Sequence, residues 1–154
     1  MSKRFSSIKV ISHRGYSSER PENTISSFDW SIESGFPYIE LDIHLTSDQV
    51  PIVMHDEYVD RTTNGFGAIR EFTLAQIKEL DAGSWFGPKF IGETVPTLEE
   101  VLVRYSGKAH IFVELKSLEE ILINSLRELV TNLGWMPVPL STSDKGDLQV
   151  PGIS

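Results

Sequence analysis

Tyr38-Ile39-Glu40-Leu41-Asp42-Ile43-His44-Leu45 alternates with the two-residue period of a β-strand. Ile39, Leu41, Ile43 and Leu45 fall on one face, and Tyr38, Glu40, Asp42 and His44 on the other. Two carboxylates therefore leave the same face side by side, inside a run rich in apolar residues. One reading is an oxygen-rich site for a hard cation. The other is the ordinary solvated face of an antiparallel strand. The rest of the chain decides between them.

Upstream, Ile8-Lys9-Val10-Ile11-Ser12 reads as a short apolar strand ending at His13-Arg14-Gly15, where Gly15 permits a sharp exit. Pro21-Glu22-Asn23-Thr24 opens a helix with Asn23 as its N-cap. Ile25, Phe28 and Ile32 recur at helical spacing, and Gly35 stops it. Strand, helix, strand with a connection too long for a hairpin is the pattern of a parallel crossover. Downstream, Val50-Pro51-Ile52-Val53-Met54 is extended and ends at His55-Asp56; Pro51 marks it as an edge or terminal segment. Residues 57–95 are less regular. Thr73 and Gln76 have capping-box spacing and begin a short helix through Leu80. Trp85, Phe86 and Phe90 pack a Gly- and Pro-rich loop onto the body, with substrate contact as the alternative.

Thr97 and Glu100 form a second capping box, followed by an apolar face of Leu98, Val101, Leu102 and Tyr105. His110 to Lys116 alternates as a strand, with Glu114 and Lys116 on the face opposite Ile111, Val113 and Leu115. Ser117 and Glu120 have the spacing of a third box, before a helix with Leu122, Leu126, Leu129 and Leu133 inward. From Trp135 onward Pro and Gly interrupt a polar run, so 135–154 are expected to be an irregular or divergent tail.

The chain has 154 residues, enough for one domain with a real core, and is 40% hydrophobic and 23% charged, as globular chains are. Its net charge of −8 argues against a nucleic-acid partner and gives no attraction to anionic membranes. No run approaches the ~18 apolar residues of a membrane span. With no cysteine, disulfides, thiolate metal sites and cysteine nucleophiles are excluded. The basic start is not followed by an apolar signal segment, and the expected location is cytoplasmic.

Alternating strands and helices give an α/β fold with a parallel sheet, whose ligands bind beyond the carboxyl ends of the strands. The reactive side chains collect there: His13 and Arg14 after the first strand, Glu40 and Asp42 on the second, His55 after the next extended segment, Glu114 and Lys116 at the last. Singly, each histidine could be a hydrogen-bonding group and Lys116 a solvated start to a helix. Together, three carboxylates suit one divalent cation, Mg2+ or Ca2+. Arg14 and Lys116 suit a phosphate. His13 and His55 suit acid and base work near neutral pH. This is the chemistry of metal-assisted phosphate ester cleavage.

His13-Arg14-Gly15, Pro21-Glu22-Asn23-Thr24, Glu40-Leu41-Asp42, Pro51 through Asp56, Arg61-Thr62-Thr63 with Gly65, Val95 through Glu100 and Val113 through Lys116 occur in that order over roughly residues 8–117. They resemble the glycerophosphodiester phosphodiesterase family. The resemblance implies a TIM (β/α)8 barrel, of which residues 1–134 would be the N-terminal part: about the first three βα units plus a family insertion at about 46–109. It implies hydrolysis of glycerophosphodiesters to sn-glycerol 3-phosphate and an alcohol, a step of lipid and glycerol metabolism. His13 and His55 would be the acid/base pair. Glu40, Asp42 and Glu114 would hold the cation, Arg14 and Lys116 would contact the phosphate, and Glu22 and Asn23 would support them. The family's proposed mechanism begins with attack by the substrate's own glycerol hydroxyl, giving a cyclic phosphate that water opens. The expected partner is a small glycerophosphodiester, with no nucleic acid and no membrane span. After Gly134 the resemblance stops, so open sheet edges are expected to allow self-association or pairing with a full-length relative. The alternative reading is a truncated, inactive or regulatory fragment of such an enzyme.

Overall fold

A computed structural model describes residues 8–117, 119–135 and 147–150, the last four by their backbone. The sheet is built around β2 (Tyr38–Leu45). On one side β2 pairs in parallel with β1 (Ser12–His13), and on the other with β4 (His110–Leu115). The helix α1 (Ile25–Glu33) connects β1 to β2. The short helix α2 (Leu74–Lys78) and then α3 (Leu98–Tyr105) lie between β2 and β4. α4 (Glu120–Asn132) follows β4. Between β2 and α2, β3 (Pro51–Val53) pairs antiparallel with the end of β2, and its proline stands at the first position as expected.

The apolar face of the decisive stretch is buried as read: Ile39, Leu41 and Ile43 are completely covered. They meet Phe28 of α1, the expected α3 face, Ile111 and Val113 of β4, and Leu122, Leu126 and Val130 of α4 in one core. Each such aliphatic side chain contributes about 1.5–3 kcal/mol of burial. Leu98, Val101, Leu102 and Tyr105 belong to this core, so α3 is a crossover helix of the sheet and not part of a separate insertion. Within the range 46–109, Ile52, Met54, Val59, Ile69, Ile77, Ala82 and Val95 form a second, smaller core. Trp85, Phe86 and Phe90 stack edge to face in its loop, with Phe90 buried. There Gly83 lies so close to the Phe90 carbonyl that a Cβ would sit 1.9 Å from its oxygen.

Both capping boxes at Thr73/Gln76 and Thr97/Glu100 form completely. Three local expectations change. The N-cap of α1 is Thr24, whose hydroxyl accepts from the Ser27 amide, because Asn23 is held left-handed (φ 56°) with its side chain committed elsewhere. The box at Ser117/Glu120 does not form: α4 starts behind Glu119, whose carbonyl accepts from the Leu122 and Ile123 amides. The first strand is only Ser12–His13, and Ile8, Val10 and Ile11 are exposed, since no described element covers that edge.

The tail was expected to be irregular. Four of its residues, β5 (Asp147–Val150), instead pair antiparallel with β4, from Ile111↔Val150 to Glu114↔Asp147. An alternating Asp-Leu-Gln-Val run suffices once an open strand edge offers it partners. The expected open edge beyond β4 is therefore filled; Trp135 is buried in the core, and residues 136–146 and 151–154 lie outside the described ones.

Candidate active site

Sheet register sets the site. His13 is the pairing partner of Glu40, and Asp42 that of Glu114. Paired residues of neighbouring strands share a face, so the three carboxylates converge, with one oxygen from each within 4.8 Å of the others. Asp42 is completely buried, and Glu40 and Glu114 are partly covered. The solvated antiparallel face is thus excluded, because β2 has parallel neighbours on both sides.

Two cations lean into this cluster. Lys116, one residue past β4, brings Nζ to 2.8 Å from Asp42 Oδ1 and 2.7 Å from Glu114 Oε1. Arg14 places Nε 3.4 Å from Asp42 Oδ2 and donates its backbone N–H to Glu40 Oε2 at 3.0 Å. Its backbone is left-handed (φ 58°), which turns the chain sharply at the end of β1. Gly15 beside it can only be glycine, since its Cβ would lie 1.9 Å from Ser27 Oγ. Asn23 donates Nδ2–H to Asp42 Oδ2 at 3.0 Å.

The carboxylates are driven apart electrostatically. Burial, and then the charge of Asp42, push Glu40 up to about 7. Burial also works against ionised Asp42, but the hydrogen bonds from Lys116 and Asn23 outweigh it and hold that carboxyl below its ordinary value. Lys116 is disfavoured as a cation by burial, yet its two carboxylates raise its affinity for the proton.

The imidazoles sit at the rim. His13 is 65% exposed, with Nε2 3.8 Å from Glu40 Oε2. His55 Nδ1 lies 2.6 Å from Asp56 Oδ1, and its carbonyl accepts from His44 Nε2 at 3.0 Å. Burial lowers the His44 pKa, which suits it to this neutral donor role. Arg61 contacts both Asp56 and Glu22, and Glu22 reaches Arg14 Nη1 at 3.1 Å. Among the expected residues, the three acids, Arg14, Lys116, Asn23 and His13 are thus brought into one cluster, with Glu22 behind Arg14. His55 joins them indirectly, through Asp56, Arg61 and Glu22. Asp56, Arg61 and His44 carry roles that sequence patterning did not assign. The available signal was charged side chains just past a strand end, at His55-Asp56 and five residues on. A cleft of about 610 Å³ opens beside Lys116, lined also by His44, Thr46, Arg70 and Glu119.

The donor set fits a hard divalent ion. All three candidate donors are carboxylates, and Glu40 Oε1 and Asn23 Oδ1 are buried without a hydrogen-bond partner. Such atoms are costly unless something polar or charged completes them.

Comparison with known proteins gives a consistent result. The model of the Glycerophosphoryl diester phosphodiesterase family matches residues 13–138. A glycerophosphodiester phosphodiesterase of Bacillus subtilis is 46% identical over 135 residues, covering 79% of this chain and 46% of the relative. The crystal structure of a glycerophosphodiester phosphodiesterase from Agrobacterium tumefaciens is 40% identical with a TM-score of 0.78, covering 82% of this chain and 53% of that one. An Oleispira antarctica phosphodiesterase, solved in complex with the product sn-glycerol-3-phosphate, is 40% identical with a TM-score of 0.74, covering 80% of this chain and 52% of that one. The chain spans about half the length of the relatives it matches. The fold is accordingly part of a (β/α)8 barrel, as expected.

Proposed function

The chain belongs to the glycerophosphoryl diester phosphodiesterase family, and on that premise we propose that its strand-end cluster carries metal-dependent hydrolysis of glycerophosphodiesters to sn-glycerol 3-phosphate and an alcohol. The observation that carries the reading is the convergence of Glu40 and Asp42, in the middle of β2, with Glu114, near the carboxyl end of β4, within 4.8 Å of one another. The Oleispira relative, with its bound product, supports the substrate class.

Glu40, Asp42 and Glu114 would hold one Mg2+ or Ca2+, with Asn23 orienting Asp42. When bound, the ion polarises the phosphoryl oxygens and neutralises charge that develops on them. Arg14 and Lys116 contact the phosphate. Lys116 spans Asp42 and Glu114, which places its ammonium at the edge of the carboxylate cluster where it would meet the substrate phosphate. His13 and His55 exchange protons with the reacting oxygens. One imidazole takes the proton of the attacking glycerol hydroxyl as the new P–O bond forms. The other gives a proton to the departing alkoxide. The pair reverses roles as water opens the cyclic phosphate. Because Asp56 occupies His55 Nδ1, Nε2 is the atom His55 offers. The cleft beside Lys116 leaves room for the rest of the diester.

No described helix is long and apolar enough to cross a membrane. A cytoplasmic location, and pairing with another chain through the edge of β1, belong to the proposal; cell fractionation and sedimentation test them. The activity is tested by incubating the purified chain with glycerophosphocholine and Mg2+ or Ca2+ and assaying glycerol 3-phosphate. The expected result is cation-dependent release that His13→Ala lowers by about 100-fold or more. Release that persists in chelator, or that His13→Ala leaves unchanged, contradicts the reading.

A further inference from the structure

The most completely satisfied ion pairing near the site is made not by a proposed ligand but by Arg61. Its Nη1 and Nη2 donate to Glu22 Oε2 and Oε1 at 3.0 and 2.8 Å. Its Nε and Nη2 donate to Asp56 Oδ2 and Oδ1 at 2.7 and 3.0 Å. One guanidinium thus grips two carboxylates, each with two prongs. The two belong to different parts of the chain. Glu22 lies in the turn before α1 and holds Arg14 Nη1 at 3.1 Å; Asp56 follows β3 and holds His55 Nδ1 at 2.6 Å. Arg61 therefore ties a phosphate-contacting arginine to an acid/base histidine.

The chemistry of the tie fixes a proton. Asp56 lies well below the ordinary carboxylate range, chiefly through its hydrogen bond from Arg61. An ionised carboxylate only accepts, so His55 Nδ1 must be the donor. The tautomer of a neutral histidine is set by the bond its other nitrogen makes, so neutral His55 carries its proton on Nδ1 and keeps Nε2 as its acceptor. A lysine could not replace this: an ammonium is a point charge and cannot present parallel pairs of N–H groups to two carboxylates at once.

We propose that Arg61 is a positioning residue, whose guanidinium bridges Glu22 and Asp56 and thereby holds His55 as its Nδ1–H tautomer, in fixed register with Arg14. The proposal rests on the reading of His55 as an acid/base group, but its test does not need turnover. In the ¹⁵N-labelled chain, long-range proton–nitrogen spectra report which ring nitrogen of each histidine bears hydrogen, with His55 assigned through His55→Gln. The expected result is Nδ1–H for neutral His55. Arg61→Ala should shift the tautomer ratio toward Nε2–H by about tenfold, the scale of weakening one charge-assisted hydrogen bond. Arg61→Lys should restore it partly, and neither change should alter cation affinity more than about threefold, since the three acids are untouched. Arg61→Ala that keeps Nδ1–H in full while its backbone spectrum stays folded overturns the proposal. Should that variant not fold, the wild-type chain decides. The Nη protons of Arg61 should be individually resolved on cooling and become averaged in Asp56→Ala; averaged signals in the wild type overturn the proposal. A wild-type chain without hydrolytic activity would count against the acid/base reading and leave the tautomer result standing.

Discussion

Two charged clusters stand side by side and are built on opposite terms. Around Arg61, four guanidinium contacts meet the four oxygens of Glu22 and Asp56, and both acids lie below their ordinary range. Around Asp42, three carboxylates share two cations, Glu40 Oε1 is buried without a partner, and Glu40 is pushed up to about 7. The first cluster is complete in itself and does mechanical work. The second is left electrostatically short of positive charge, as expected of groups arranged for a ligand. Satisfied and unsatisfied charges thus belong to neighbouring but distinct clusters.

Breaking the comparison at Asp42 should have the largest effect. Asp42→Ala leaves Arg14 and Lys116 facing a buried gap and should destabilise the chain by roughly 3–5 kcal/mol in urea unfolding. At Glu40 the sign reverses. Its pKa is raised from 4.5 to about 7, so the stability linked to holding its proton is fully present below 4.5 and lost as pH rises through 7. Glu40→Gln stays neutral and should stabilise the cation-free chain at pH 8 by roughly 1–3 kcal/mol, while changing it little at pH 4. The same shift makes the cation compete with a proton, so added Mg2+ or Ca2+ should raise the melting temperature more at pH 8 than at pH 6. Arg61→Ala should cost only about 1 kcal/mol, because the guanidinium is 44% exposed and screened by solvent. Last is the surface pair Arg104–Asp29, two-pronged but half-exposed; Arg104→Ala should cost ~0.2–1 kcal/mol, and a larger loss would show that exposed pairs here matter more than this contrast allows.

The acidic cluster was legible in the sequence and the Arg61 clamp was not, for a physical reason. Glu40, Asp42 and Glu114 sit on strands, where a two-residue period fixes each face and register then brings the faces together. The capping boxes at Thr73 and Thr97 were legible because they close within three residues. Arg61 reaches Glu22 across 39 positions from an irregular segment without periodicity, so nothing local announces the contact. Asn23 donates to Asp42 and is not the expected cap; its left-handed backbone hands that duty to Thr24. β5 was missed because four residues among prolines and glycines become a strand only against an edge supplied by β4.

Calorimetric titration of the purified chain with Mg2+ and with Ca2+ at pH 7 tests the central claim most directly. The predicted result is a single site, with fractional proton release as Glu40 ionises on binding, and loss of that site in Glu40→Gln while the chain stays folded. Absence of binding in the folded wild-type chain, or equal binding in Glu40→Gln, would show that the three carboxylates do not form a metal centre.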